Sequence, residues 1–138
     1  MNGDQVHAWS NSKNGAVKLS ANFRVSEFAC KDGSDTVFIS PGLVTVLQKI
    51  RDHFGKPVII TSAYRNDAYN KKVGGADYSQ HKYGMAADIY ISGVSPATIA
   101  AHVETIMPNT GGIGIYNSFV HVDVRTARAR WNGKEDYL

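Results

Sequence analysis

The chain contains a single cysteine, Cys30. That excludes an intramolecular disulfide and any multi-cysteine metal knuckle, so a metal held here would need histidine and carboxylate ligands. Cys30 has only Lys31 and Asp32 beside it, neither an obvious base for a thiol, and reads as a small packed residue. No apolar run approaches the length of a membrane span, and the first residues lack the apolar core of a signal peptide. Neither a spanning segment nor export by a standard signal is therefore expected. Excess charge is also scarce: the formal net charge is +3, and the basic residues are scattered, with Arg125, Arg128 and Arg130 the densest group. That group reads as a solvated edge, and no helix-turn-helix, RNP-like or zinc-finger pattern accompanies it, so a nucleic-acid partner is not expected. Repeats, low-complexity tracts and linkers are missing as well. At 138 residues, 43% apolar and 20% charged, the chain suits one domain able to bury a single core.

What is present falls into a recognisable order. Residues 1–21 form a polar arm with few core residues besides Val6, Trp9, Val17 and Leu19, and residues 22–138 form the domain proper. Phe23 and Phe28 are aromatic anchors. Ser40-Pro41 starts a helix over 41–54, with Leu43, Leu47, Ile50 and Phe54 on one face and Gly55 as its stop. His53 in its last turn complements the helix dipole and is not a ligand candidate. Pro57 to Thr61 is a buried strand, followed by Tyr64 and Arg65, and residues 66–73 form a short helix ended by Gly74-Gly75. Ser95-Pro96 starts a second long helix, closed by Pro108, on which His102 is a surface residue. Two further strands, 111–116 and 119–124, are joined through Asn117-Ser118 as a hairpin. Trp131 in the tail reads as a filler of a groove on its own domain. The architecture expected is α+β: a small, mostly antiparallel sheet with helices on one face and a site in a cleft on the other.

The candidate chemistry lies in Ser79 to Ile91, where His81 and Asp88 stand seven positions apart. Asp88 sits in Ala-Ala-Asp-Ile-Tyr-Ile, a short buried strand, where a carboxylate is costly unless paired with a cation or a metal. Alternation in Phe119 to Arg125 places Val120, Val122 and Val124 toward a core, and Phe119, His121, Asp123 and Arg125 on the opposite face. Two imidazoles and a carboxylate, His81, His121 and Asp88, form one of the ligand sets of catalytic zinc. Spacing alone leaves plainer readings open: a histidine before a strand is often a loop residue, and an aspartate beside one can cap a turn.

The stretch Ser79-Gln-His81-Lys-Tyr-Gly84-Met-Ala86-Ala-Asp88 resembles the Ser-x-His-x-x-Gly-x-Ala-x-Asp pattern of the M15 zinc peptidases, the D-Ala-D-Ala carboxypeptidase family. Thr61-Ser-Ala-Tyr64-Arg65 and His121-Val-Asp123 are similar to that family too, in its phage and bacterial cell-wall branch, and the resemblance runs from about Asn22 to Trp131. It implies a hedgehog/DD-peptidase-like fold and one zinc ion on His81, Asp88 and His121. The implied activity is hydrolysis of peptidoglycan stem peptides, as a carboxypeptidase or an endopeptidase acting on the bacterial cell wall. Arg65, Ser79 and Tyr83 would then bind substrate, and a monomeric, phage-encoded lysin is one source that fits. The sequence departs from the family where better-known members carry an acid three positions before the last histidine ligand: Ser118 stands there, and Phe119 replaces a histidine found in some members. Asp123 is the nearest remaining acid and the candidate base, with orientation of a histidine as its alternative role. The missing acid also keeps open a zinc-containing binding module without hydrolytic activity.

Overall fold

The alternating residues of Ala86–Tyr90 and Val120–Asp123 form neighbouring strands at the centre of a five-stranded sheet. In the computed structural model, which describes residues 6–133, Asp88 lies directly across from His121. In chain order, β1 is His7–Ser10, α1 Asn11–Asn14, β2 Lys18–Ser20, β3 Phe23–Arg24, β4 Thr36–Ile39, α2 Pro41–Phe54 and β5 Ile59–Ser62. There follow α3 Asp67–Lys72, β6 Ala86–Tyr90, α4 Pro96–Ile106, β7 Gly112–Ile115, β8 Val120–Asp123 and β9 Ala129–Asn132. Short 3-10 turns at Val25–Phe28 and Gln80–Tyr83 complete the set.

The main sheet has the order β5-β6-β8-β7-β9, antiparallel throughout except for the parallel pair β7 and β9. Ala87, Ile89, Val120 and Val122 point to one face, where they meet the apolar sides of the two long helices, including Leu47 and Ile50 of α2 and Ile99 and Val103 of α4. Burying such side chains supplies the main driving force for docking the helices, about 1.5–3 kcal/mol each. Both helices start as the sequence suggests: the hydroxyls of Ser40 and Ser95 accept from the backbone N–H groups of Leu43 and Thr98. Gly55 ends α2 in the left-handed conformation. The expected α+β architecture, with helices on one face of a mostly antiparallel sheet, is the one observed.

The arm is hydrogen-bonded to the domain from β1 onward. That strand pairs antiparallel with β4, and Trp9 packs against the core, while the Asp35 carboxylate bridges the Ser10 hydroxyl and the Ser12 amide. Val6 is the first described residue; residues 1–5 and 134–138 of the expected arm and domain lie outside the described ones. At the other end, β9 adds a strand that the tail's composition did not announce. His53 and His102, both set aside as ligands, stack ring on ring with centroids 3.6 Å apart where α2 meets α4. Among the described residues, no helix is long and apolar enough to cross a membrane.

Candidate metal centre

The open face of the sheet is made by the residues that alternation turns away from the helices. Asp88 projects from β6 and His121 from β8, side by side in register. His81 reaches them from the 3-10 turn Gln80–Tyr83. Two hydrogen bonds and a glycine fix that turn: the Ser79 hydroxyl accepts from the His81 N–H at 3.2 Å, the Arg65 N–H donates to the His81 carbonyl at 3.0 Å, and Gly84 closes the turn with φ +72°. Gly84 also abuts the Phe38 carbonyl so closely that a Cβ would collide with it. The glycine of the motif thus serves conformation and packing together.

His81, Asp88 and His121 are all buried, and one donor atom from each lies within 4.8 Å of the others. His81 Nε2 is 3.2 Å from Asp88 Oδ1, and His121 Nδ1 is 3.1 Å from the same oxygen. The far side of each ring is already committed. His81 Nδ1 lies 2.7 Å from the Ala63 carbonyl, which can only accept, so that nitrogen carries the proton and Nε2 presents a lone pair. His121 Nε2 lies 2.8 Å from Asp123 Oδ2, which fixes the proton there in the same way and leaves Nδ1 to face Asp88. Two imidazole lone pairs and a carboxylate oxygen thus converge on one point, an arrangement that needs a cation between them. The two spacings to Asp88 Oδ1 are close to the roughly 3.3 Å expected for atoms about 2 Å from a common tetrahedral ion. The residues present fit a metal.

The electrostatics agree. Burial works against charge on Asp88, yet His81 and His121 hold its carboxyl well below the usual carboxylate range. Burial lowers the His81 pKa, with Asp88 opposing. On His121, burial also pushes down, but the hydrogen bonds to Asp123 and Asp88 outweigh it and raise the pKa.

Asp123 is fully enclosed and accepts five hydrogen bonds. Its Oδ1 receives the Gly112 N–H at 3.0 Å, the Arg125 N–H at 3.1 Å and Arg125 Nε at 2.8 Å, while Oδ2 receives Arg125 Nη2 at 2.6 Å and His121 Nε2 at 2.8 Å. Burial is again outweighed, and its carboxyl lies well below the usual range. A carboxylate so saturated has little basicity left for a water molecule. Room for it comes from β7, where a Cβ at Gly112 would run into its carboxyl group and one at Gly114 would meet the Trp131 indole.

The triad stands between two clefts. One, of about 400 Å³, is bordered by His81 and His121 together with Arg65, Ser79, Tyr116 and Arg125. The other, of about 440 Å³, is bordered by Asp88, Thr61, Ser62, Tyr90, Ser118 and Phe119. A roomier groove of about 560 Å³ under the arm, between Trp9 and Lys49, is remote from this chemistry. Of the candidate substrate residues, Ser79 borders the first cleft, whereas exposed Tyr83 borders neither. Arg65 borders the first cleft but is only 1% exposed; its guanidinium donates to Ser62 Oγ at 3.1 Å and Asn70 Oδ1 at 3.3 Å and lies 3.6 Å from Asp88 Oδ2. Arg125 and Trp131 were not marked as site residues by the sequence. Arg125 carried a signal, since alternation put it on the face of His121 and Asp123; Trp131 carried none.

An aspartate and a histidine on the outer face of the sheet, met by a second histidine from the turn before it, with one cleft bordering the histidines and another bordering the aspartate, form a site that could hold a metal ion. The Peptidase M15 family model matches residues 21–123, and the chain belongs to the M15 peptidase family. It is similar to the peptidoglycan L,D-endopeptidase MepK of Escherichia coli K12 and to the protein of that name from Shigella flexneri, each 33% identical over 99 residues. The aligned part covers 65% of this chain and 53% of each relative, so the chain spans about half the length of the curated relatives it matches.

Proposed function

We propose that the chain is a zinc-dependent endopeptidase acting on the stem peptides of bacterial peptidoglycan, with His81 Nε2, Asp88 Oδ1 and His121 Nδ1 holding one zinc ion. The observation that carries this reading is the convergence of three lone pairs on a point between two clefts. Zinc, when bound, supplies Lewis acidity toward a peptide carbonyl and lowers the pKa of a coordinated water toward neutrality.

The two clefts favour an endopeptidase over a carboxypeptidase, because a peptide chain can extend from the metal in both directions. Arg65 adds no weight to a carboxypeptidase, since its buried guanidinium already serves Ser62, Asn70 and Asp88. It supports Asp88 from beneath, and Ser79 holds the His81 turn as well as bordering the cleft. Asp123 acts by orienting His121 rather than as the base. The name of the MepK relatives accords with cell-wall stem peptides as substrate and with the wall as the place of action.

A non-hydrolytic zinc-containing binding module is the second reading. One observation favours it: among the described residues, Asp88 is the only carboxylate bordering either cleft, and Ser118 stands where an acid is found in better-known members. Purified sacculi incubated with zinc-loaded protein decide between them. Release of new amino ends, abolished by a chelator and by His121→Ala and restored to wild type by zinc, is the result expected of the peptidase. Stoichiometric zinc with no release supports the binding module.

A further inference from the structure

The loop between α3 and the turn that carries His81 is tied down on both sides of Tyr78. The Gly75 N–H donates to the Asn70 carbonyl at 2.8 Å, and the side-chain amide of buried Asn70 donates to the Ala76 carbonyl at 2.8 Å. Lys82 Nζ donates to the Asp77 carbonyl at 2.7 Å, and the Ser79 N–H reaches back to the Ala76 carbonyl at 3.0 Å. A Cβ at Gly75 would run into the Asn70 side chain and come against Arg65 Nη1, so the loop rests directly on these two buried residues. Its backbone is fixed, yet the Tyr78 ring stands in water. That residue is 83% exposed, against 44% for Tyr83, the next most exposed of the large apolar and aromatic side chains described. So little of it is buried that it contributes little to folding. It nevertheless borders the cleft of His81 and His121, which Tyr116 and Trp131 border from the sheet side. Those two are packed: the Trp131 indole N–H donates to the Tyr116 hydroxyl at 3.1 Å, and Tyr116 stacks on Phe119 with centroids 4.3 Å apart.

We propose that Tyr78 is a substrate-binding residue whose ring covers the peptide on the histidine side of the candidate metal centre. The proposal rests on the peptidase reading and adds a residue to its substrate site. A tyrosine on a fixed backbone has only two side-chain torsions to settle on binding, so most of the area it loses to the peptide counts toward affinity. The contact is made by the face of the ring with C–H groups of the peptide, and the phenolic hydroxyl is not needed for it. Such a contact holds substrate and transition state alike, and therefore shows in KM and not in kcat. Tyr83 supplies the comparison, being exposed but bordering neither cleft.

The test uses the zinc-loaded full chain and a soluble stem peptide. Tyr78→Ala should raise KM about tenfold, the effect of returning roughly half of the ring to water, with kcat, zinc content and melting temperature unchanged. Tyr78→Phe should keep the wild-type KM. An unchanged KM in Tyr78→Ala, a Tyr78→Phe variant as weak as Tyr78→Ala, or a raised KM accompanied by a lowered melting temperature overturns the proposal. Nitration with tetranitromethane, located by mass spectrometry, reads the contact without turnover. Saturating peptide should protect Tyr78 and leave Tyr83 as reactive as before; protection that is absent, or equal at both tyrosines, overturns the contact. If the peptide is not cut at all, the peptidase reading fails by itself, and selective protection of Tyr78 then still supports its place in the binding site.

Discussion

The Asp123 carboxylate holds Nε2 of His121 at 2.8 Å and thereby turns Nδ1 of the same ring toward Asp88, 3.1 Å away. With a metal at His121 Nδ1 this would be the carboxylate–histidine–metal relationship by which a neighbouring acid fixes the tautomer and direction of a ligand. Asp123→Ala should therefore weaken zinc binding by about tenfold to a hundredfold. Activity should return when zinc is raised to saturation. A competitive chelator titration gives the affinity, and a zinc-dependence curve of the rate gives the rescue. A variant that keeps full zinc affinity but stays inactive at saturating metal would restore Asp123 to the role of base.

Zinc binding should release a proton. His121 has a raised pKa in the metal-free protein, because its hydrogen bonds to Asp123 and Asp88 outweigh burial. Its protonated form thus stabilises the metal-free fold below the unfolded histidine pKa of about 6.5, and that contribution is lost as pH rises through the folded value. The metal needs Nδ1 without its proton, so zinc affinity should fall as the pH drops through the same range. The thermal shift produced by saturating zinc should accordingly be larger at pH 8 than at pH 6. Calorimetry in two buffers of different ionisation enthalpy would count the protons released, and no release would refute the assignment.

The three residues that converge were legible in the sequence because each rests on a local rule. Asp88 was conspicuous as a carboxylate among buried apolar residues, and alternation put His121 and Asp123 on one face. The long helices announced themselves through Ser-Pro starts at 40–41 and 95–96. What stayed hidden depends on contacts between distant segments. The Ala63 carbonyl that sets the tautomer of His81 is a backbone atom with no residue signature. The parallel pairing of β9 with β7, which brings Trp131 over Gly114, joins segments without a hairpin signal between them. The burial of Arg65 depends on Asn70 in α3 and Asp88 in β6, both of which meet it only in the fold.

Gly112 should prove as necessary as a ligand. A Cβ there would enter the space of the Asp123 carboxyl group, which also accepts the Gly112 N–H at 3.0 Å. Gly112→Ala must shift either β7 or Asp123, and overpacking of this kind costs about 1–3 kcal/mol. The expected result is a lowered melting temperature together with reduced zinc affinity, since Asp123 moves with His121. Loss of stability with zinc affinity intact would show that the sheet, and not the carboxylate, takes up the displacement.

Arg65 offers the sharpest contrast between a binding role and a supporting one. Its guanidinium, 1% exposed, spans Ser62, Asn70 and Asp88. Were it chiefly a substrate anchor, Arg65→Ala would raise KM and leave the fold alone. Because it is a buried cation paired with a buried carboxylate, removing it leaves Asp88 with one fewer compensating charge, a change that costs about 3–5 kcal/mol. Denaturant melts of the metal-free variant should show that loss directly. Zinc should recover part of the loss, because the ion supplies positive charge to the same carboxylate. A variant as stable as wild type with only KM altered would return Arg65 to the substrate.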